Sequence, residues 1–177
     1  MLRPKILIYI LLILSLLPRA KVRCQPESSA TATGHIIAEI ISAFTASEKS
    51  QLNFGRFSPG PEGGEIILSP ESAVSVLGSV YRGQGSFNAA SFDVTGDVDA
   101  AYSITLPSGP VILTHVSDAR TMRVENWVSV PAPGAGTGRL QDGLQTVNVG
   151  ATLIVGTLKD NPVGIYTGTY SITFDFN

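Results

Sequence analysis

The sequence predicts an all-β protein, a single β-sandwich that follows an N-terminal signal peptide. Most of the chain consists of short runs in which apolar and polar residues alternate, and Gly, Pro, Asn and Asp break these runs at fairly regular intervals. Alternation with a period of two is typical of half-buried strands, and regularly spaced strands are typical of a sandwich or barrel. The first 24 residues differ in composition from everything that follows.

Residues 1–24 have the pattern of a secretory signal peptide. Arg3 and Lys5 give a positive start, a mostly apolar run of 12 residues follows at positions 6–17, and Pro18 ends it. As a helix this run would be about 18 Å long, which is too short for a bilayer core of about 30 Å. We therefore expect a cleaved signal that contacts the membrane only during export.

The cleavage site is expected between Cys24 and Gln25. A lipidated Cys24 is the alternative, but Arg23 stands immediately before it, where small residues are expected. Residues 30–32 (ATA) also have the small-x-small form of a cleavage site, although they lie far from the apolar run.

Cleavage would leave an acidic chain without cysteine. Five of the 12 basic residues and none of the 14 acidic residues lie in the signal, so the mature chain would have a formal charge near −7. Scattered basic residues argue against a nucleic-acid partner, and the lack of cysteine excludes an internal disulfide. We expect a flexible lead-in at residues 25–34 and one sandwich domain at residues 35–177, a length sufficient for a core.

Ten strand regions are predicted. In chain order they are residues 34–50, 51–57, 64–68, 73–81, 86–95, 101–106, 111–115, 120–130, 144–155 and 164–176. The first region also fits a helical period, but its β-branched residues favour a strand. Residues 107–110 (PSGP) predict a hairpin between two neighbouring strands, whereas residues 58–61 predict a turn and residues 131–138 a loop.

Two of these regions show their faces clearly. In residues 120–130, Met122 and Val128 fall on one face and Trp127 on the other, and we expect Trp127 to be a packing residue. In the last region Ile172, Phe174 and Phe176 alternate with polar residues, as in a half-buried strand.

Residues that could carry catalysis are scarce. The mature chain would have two histidines, His35 and His115, and no serine lies in a Gly-x-Ser-x-Gly elbow. Two histidines without cysteine are too few for a zinc site. Asp93, Asp97 and Asp99 could supply oxygen ligands for calcium, but we favour a solvated hairpin turn there. No enzyme activity, metal or cofactor is expected.

Five short motifs in a fixed order resemble a known family. They are residues 52–55 (LNFG), 90–96 (ASFDVTG), 102–107 (YSITLP), 149–153 (VGATL) and 164–170 (GIYTGTY). Together they are similar to the bacterial secreted domain-of-unknown-function family 4402. The resemblance implies an immunoglobulin-like, pilin-like sandwich in an exported bacterial protein, and it implies no catalytic residues.

We consider two functions for such a chain. The first is a cell-surface or fimbria-like structural or adhesive component, located in the periplasm or at the cell surface, whose partners are itself or other surface subunits. Residues 35–45 could serve as a donor strand with Ile36, Ala38, Ile40 and Phe44 on one face, because an extended segment can add a strand to a partner's sheet. The interpretation that we prefer is that the same segment is the first strand of a self-complete domain.

The second function is a soluble periplasmic or secreted binding module that recognises a glycan or a protein through its loops. Residues 131–143 and 58–63 would then be the binding surfaces, because binding residues are concentrated on loops.

Overall fold

The computed structural model describes residues 29–40 and 43–176 of the 177-residue chain. Its first unit ends at Glu39, and its second begins at Ile40 and contains all the strands. No helix occurs among the described residues, so none of them forms a helical segment long and apolar enough to cross a membrane. The signal peptide predicted at residues 1–24 and its cleavage at Cys24 and Gln25 lie outside the described residues.

The described residues form eleven strands. In chain order they are β1 (Thr45–Ser50), β2 (Phe57–Leu68), β3 (Val74–Arg82), β4 (Ala90–Thr95), β5 (Ala101–Thr105), β6 (Val111–His115), β7 (Thr121–Val130), β8 (Gly134–Arg139), β9 (Leu144–Val155), β10 (Tyr166–Thr167) and β11 (Thr173–Phe176).

The strands form two antiparallel sheets. The larger sheet has eight strands: β1, β4, β9, β7, β6 and β10 follow each other in that order, while β2 pairs with β9 and also with β3. The smaller sheet has the order β11-β5-β8. The predicted all-β sandwich is therefore confirmed.

Strand β9 links the two apolar clusters of the core, because its first half faces one cluster and its second half the other. The first cluster is enclosed by strands of the large sheet. Its buried members are Phe54, Ile66, Leu68, Val80, Met122, Val124, Ala151, Leu153 and Val155. The second cluster lies between the two sheets. Its buried members are Ala90, Val94, Tyr102, Ile104, Leu140, Val147 and Val149.

The strands with clear alternation are confirmed by the structure. Strands β3, β5, β6, β7 and β9 agree within one residue at each end with the regions predicted for them. Each has apolar residues on a face that is at least partly buried, and the alternation in the sequence indicates this burial.

The first predicted strand is wrong over most of its length. Only Thr45–Ser50 forms a strand, which pairs with β4, and residues 29–40 belong to no helix or strand. The isoleucines at 36 and 40 are each more than nine-tenths exposed. Apolar β-branched residues favour a strand only where a neighbouring strand supplies hydrogen bonds and burial, and no strand of the described part of the chain does so for residues 29–40.

Two predicted turns are also corrected. Residues 58–61 lie inside β2 as a bulge, where the register with β3 moves from Pro59↔Val80 to Gly63↔Ser79. Residues 131–138 do not form a loop throughout, because β8 begins at Gly134 and pairs with β5. Turn residues thus occur here within strands, where bulges accommodate them.

The hairpin predicted at residues 107–110 does not form. Strand β5 belongs to the small sheet and β6 to the large sheet, so this turn carries the chain from one sheet to the other. The same is true of the connection from β4 to β5, which contains Asp97 and Asp99 and was also predicted as a hairpin turn.

Three further regions differ from the prediction in extent. Residues 51–57 form no strand apart from Phe57 at the start of β2 and an isolated bridge between Asn53 and Asn88. The region 86–95 pairs only from Ala90 onward, and the region 164–176 divides into β10 and β11.

Candidate functional site

The domain has an open groove of about 1260 Å³ beside the first core cluster. Its floor consists of well-buried apolar side chains, including Met122, Val124 and Leu153. Its rim is formed by two more exposed segments, residues 51–56 ahead of β2 and residues 163–170 around β10. An apolar floor with a polar rim is the usual composition of a binding site in a protein.

A bulge in β7 determines which side chains face this groove. The pairing with β9 moves from Glu125↔Thr152 to Val128↔Gly150, so β7 has one extra residue, and Asn126 has a positive φ of 54°. The extra residue reverses the two faces of the strand. Before the bulge Met122 faces inward, and after it Trp127 faces the same way, although the alternation places these two residues on opposite faces.

Trp127 is a packing residue, as expected, and its nearest aromatic partner is Tyr170. The ring centroids are 4.7 Å apart with an interplanar angle of 32°. The indole Nε1 of Trp127 and the hydroxyl of Tyr170 are both buried and have no hydrogen-bond partner among the described residues. Burial, and to a smaller extent the Glu48 carboxylate, raise the pKa of Tyr170 to about 12.

Buried polar groups without a partner are uncommon in folded proteins, and each costs about 1–3 kcal/mol. Trp127 and Tyr170 both line the groove, so the two unpaired donors lie at the same site. Neither donor atom is accessible to solvent, so neither is exposed on the surface of the groove.

The first rim segment is fixed by local hydrogen bonds. The backbone amides of Asn53 and Asn88 each donate to the other residue's carbonyl, at 2.8 and 2.9 Å. The side chain of Asn53 also accepts a hydrogen bond from the amide of Gly55 at 2.8 Å. Gly55 has a φ of +69°, and a Cβ there would lie 2.8 Å from Cε1 of Phe87. This position therefore requires glycine.

Arg56 is the exposed cation of this rim segment. Among the described residues the ion pairs join Lys49 to Asp93 and Arg139 to Asp99, so Arg56 has no carboxylate partner there.

The second rim segment is held against β6 by aromatic and polar contacts. The rings of His115 and Tyr166 meet edge to face with centroids 4.9 Å apart. Nε2 of His115 lies 3.2 Å from the carbonyl oxygen of Val163, and the hydroxyl of Tyr166 donates to the carbonyl oxygen of Pro162 at 2.9 Å. Residues 168–172 then belong to no strand, so their backbone forms no ladder with either sheet.

The four residues predicted for the donor strand do not share one environment in the structure. Ile36, Ala38 and Ile40 are exposed, whereas Phe44 packs within its own domain. The Phe44 ring lies 5.7 Å from the ring of Tyr102. A donor face would therefore consist of the first three residues.

Two of the three aspartates considered for calcium, Asp93 and Asp99, have different partners. The carboxylate of Asp93 accepts a hydrogen bond from the hydroxyl of Thr146 at 2.6 Å, and Asp99 lies 3.6 Å from Arg139. The described residues contain no group of three metal-ligating side chains that could hold an ion.

The groove itself was not predicted from the sequence. Its rim residues at 52–55 and 164–170 belong to two of the family motifs, and nothing in the sequence indicates that these two segments lie near each other.

Comparison with known proteins gives a single positive result. Neither the curated proteins nor the solved structures contain a significant match to the chain. The family described as a domain of unknown function, DUF4402, matches residues 44–176, which include the whole groove and every strand. The match covers about three quarters of the chain, and the resemblance seen in its motifs is thereby confirmed: the protein belongs to the DUF4402 family.

Proposed function

We propose that the protein is an exported, non-catalytic component of the bacterial cell surface, with a structural or adhesive role like that of a fimbrial subunit. The observation that carries this proposal is the exposure of Ile36, Ile37 and Ile40, which are 95%, 93% and 99% exposed. Apolar side chains grouped in one exposed segment are typical of an interaction site. The segment precedes the first strand, where it is free to add to a partner's sheet.

Export is supported by the sequence pattern at residues 1–24, a basic start followed by an apolar run. A chain with this signal is delivered to the periplasm or beyond, where surface structures are assembled.

The absence of catalysis is supported by the surroundings of His115. Its Nδ1 accepts a hydrogen bond from the amide of Ser117 at 3.1 Å, so its Nε2 can donate to the carbonyl oxygen of Val163. Both ring nitrogens thus have backbone partners and neither is placed to activate a nucleophile. The histidine orders the rim of the groove.

Localisation in bacterial cells tests the proposal. We expect the full chain to be recovered with Gln25 as its first residue, to be labelled by antibody on intact cells, and to be removed by protease added outside. The control is a chain with Leu11→Arg and Leu12→Arg, which breaks the apolar run and should remain uncleaved inside. Retention of the unaltered chain in the cytoplasm would contradict the proposal.

A second candidate function is a soluble, exported binding module. The observation that favours it is the groove, whose rim combines Asn53 and Asn88 with aromatic side chains. Its binding surface would be the groove rather than the loops predicted at 131–143 and 58–63, which contain strand residues. A glycan array probed with the purified chain tests this function: saturable binding that Asn53→Ala weakens would favour it over assembly.

A further inference from the structure

We infer that the groove is the acceptor site for residues 36–40 of a second copy of this chain, which add to the domain as an extended strand. This inference rests on the proposed function and identifies the partner and the surface that it needs. The exposed segment and the groove are complementary in polarity and in the main-chain groups that they offer for pairing.

The apolar face of the segment matches the floor of the groove. In an extended conformation Ile36, Ala38 and Ile40 point to one side, because successive side chains alternate. The floor that they would meet is formed by β6, β7 and β9, where the half-buried Leu113 lies beside the buried Met122. Transfer of the two isoleucine side chains from water to this floor would provide hydrophobic free energy for association.

The backbone of an added strand would pair with the rim of the groove. An extended peptide carries a carbonyl oxygen at every residue and an amide at every residue except proline, so it offers both partners of a ladder along its length. Rim residues 168–172, which belong to no strand, offer main-chain groups for the ladder that strand addition requires.

The charges of the segment and the rim also agree. Glu39 is the only carboxylate between residues 29 and 44, and it lies on the opposite face from Ile40. With the isoleucines in the groove, this face is directed outward, where the unpaired cation Arg56 stands on the rim. Two exposed charged side chains, Glu48 and Arg56, line the groove, and Arg56 is the one with which Glu39 can form an ion pair.

Two single substitutions in the full chain test which face of the segment contacts the groove. Ile40→Asp should weaken self-association about tenfold or more in analytical ultracentrifugation, because it places a charge against the apolar floor. Ile37→Asp is the matched control: this side chain is 93% exposed but lies on the other face, so association should persist. Both variants should retain the thermal unfolding of the unaltered domain, because neither side chain is buried. Equal effects of the two substitutions, or no self-association of the unaltered chain, would overturn the inference.

Disulfide trapping tests the groove and distinguishes two copies from one. Two proteins, each with Cys24→Ser, carry one new cysteine apiece: Ala38→Cys in the segment and Thr169→Cys in the rim. Because each molecule then has one cysteine, a disulfide between them can form only between copies. We expect a cross-linked heterodimer when the two are mixed and oxidised, and none when Ser108→Cys, which lies outside the groove, replaces Thr169→Cys.

An absence of the heterodimer, or equal cross-linking to Ser108→Cys, would show that the segment does not enter the groove of another copy. Surface labelling of intact cells is independent of these results. If the chain reaches the surface but Ile40→Asp and the cysteine pairs have no effect, the inference fails while the proposed function stands.

Discussion

The hydroxyl of Tyr102 donates a hydrogen bond of 2.7 Å to Oε1 of Gln145, and this bond joins the two sheets. Tyr102 lies on β5 of the small sheet, and Gln145 lies on β9 of the large sheet. The same oxygen accepts the amide of Arg139 at 2.8 Å, so a single side-chain amide ties β5, β8 and β9 together. Tyr102 itself is completely buried in the second cluster.

Loss of this hydroxyl should destabilise the domain. Tyr102→Phe removes the hydrogen bond between the sheets while keeping the ring, and we expect the free energy of unfolding to fall by about 1–2 kcal/mol. Urea unfolding followed by fluorescence measures the change. Tyr81→Phe removes a hydroxyl from an exposed position on β3 and should leave the midpoint unaltered. Equal stability of Tyr102→Phe and the unaltered chain would show that the bond adds nothing.

Alkaline pH should destabilise the domain between about pH 10 and pH 12. Burial raises the pKa of Tyr102 to about 12, and Tyr170 reaches about 12 for the same reason with a smaller contribution from Glu48. An unfolded tyrosine titrates near pH 10, so the folded state binds these protons more tightly. Their contribution to stability is complete below pH 10 and is lost as the pH rises to 12. Thermal unfolding across this range, with tyrosinate absorbance recorded in parallel, measures it; a midpoint that stays constant up to pH 12 would contradict the assignment.

A methyl group at Gly138 should be poorly tolerated. A Cβ at this position of β8 would lie 2.6 Å from Cε1 of Tyr102 and closer still to Cζ. We expect Gly138→Ala to destabilise the domain by about 1–3 kcal/mol through overpacking. Gly109→Ala is the matched control, because a Cβ there meets no atom within 4 Å. Chemical denaturation of both variants gives the comparison, and similar midpoints would mean that the ring of Tyr102 moves aside without cost.

The side chain of Asn161 should stabilise the loop that precedes the groove rim. Its Oδ1 accepts the amide of Gly156 at 2.6 Å and its Nδ2 donates to the carbonyl of Thr121 at 2.8 Å, and the residue is 95% buried. Asn161→Ala leaves both backbone groups without a partner, which should cost about 1–3 kcal/mol each in thermal or urea unfolding. The neighbouring exposed Lys159→Ala should be within about 0.5 kcal/mol of the unaltered chain. A loss no larger than that of the lysine variant would rule out this role.

The hydroxyl of Thr146 should control the acidity of Asp93. Its hydrogen bond is the main cause that lowers the pKa of Asp93 below 3.8, and Lys49 adds to the effect. Because the pKa is depressed in the folded state, the resulting stability is present above the unfolded pKa and is lost as the pH falls through the folded value. Thr146→Val should move the pKa of Asp93 towards its ordinary value in a carboxyl NMR titration, whereas Thr146→Ser, which keeps the hydroxyl, should not. An unaltered titration in the valine variant would disprove this cause.

Alternation in the sequence was sufficient to locate the strands that have one polar and one apolar face. It predicted β3, β5, β6, β7 and β9 because burial of one face is a local property of such a strand. It could not predict which strands pair, and the turn at residues 107–110 was accordingly assigned to a hairpin although it connects two sheets.

Strand β8 shows why the remaining elements were missed. Its sequence GAGTGR has no apolar alternation. Position 138 of this strand needs a glycine because the ring of Tyr102 occupies the space that a side chain would take. That requirement comes from tertiary packing, which a local pattern does not report. The bulge at Asn126 is a similar case: a single extra residue moved Trp127 to the inner face and thereby shaped the groove.

The apolar residues at 36–40 could be recognised in the sequence, but their exposure could not. Residues 36–40 were predicted as a strand because isoleucine favours strands, and their side chains are instead exposed in the isolated chain. The groove was beyond prediction, because its floor and rim come from residues far apart in the sequence.

The central position of β9 has a consequence for how the domain opens. One half of β9 carries Val147 and Val149 of the second cluster, and the other half carries Leu153 and Val155 of the first. Its backbone pairs with β2, β4 and β7, so none of its ladder can be exposed by detaching an edge strand alone. We therefore expect the amide hydrogens of β9 to exchange with deuterium only when the whole domain opens, so that, when closing is faster than chemical exchange, their exchange rates report its global free energy of unfolding.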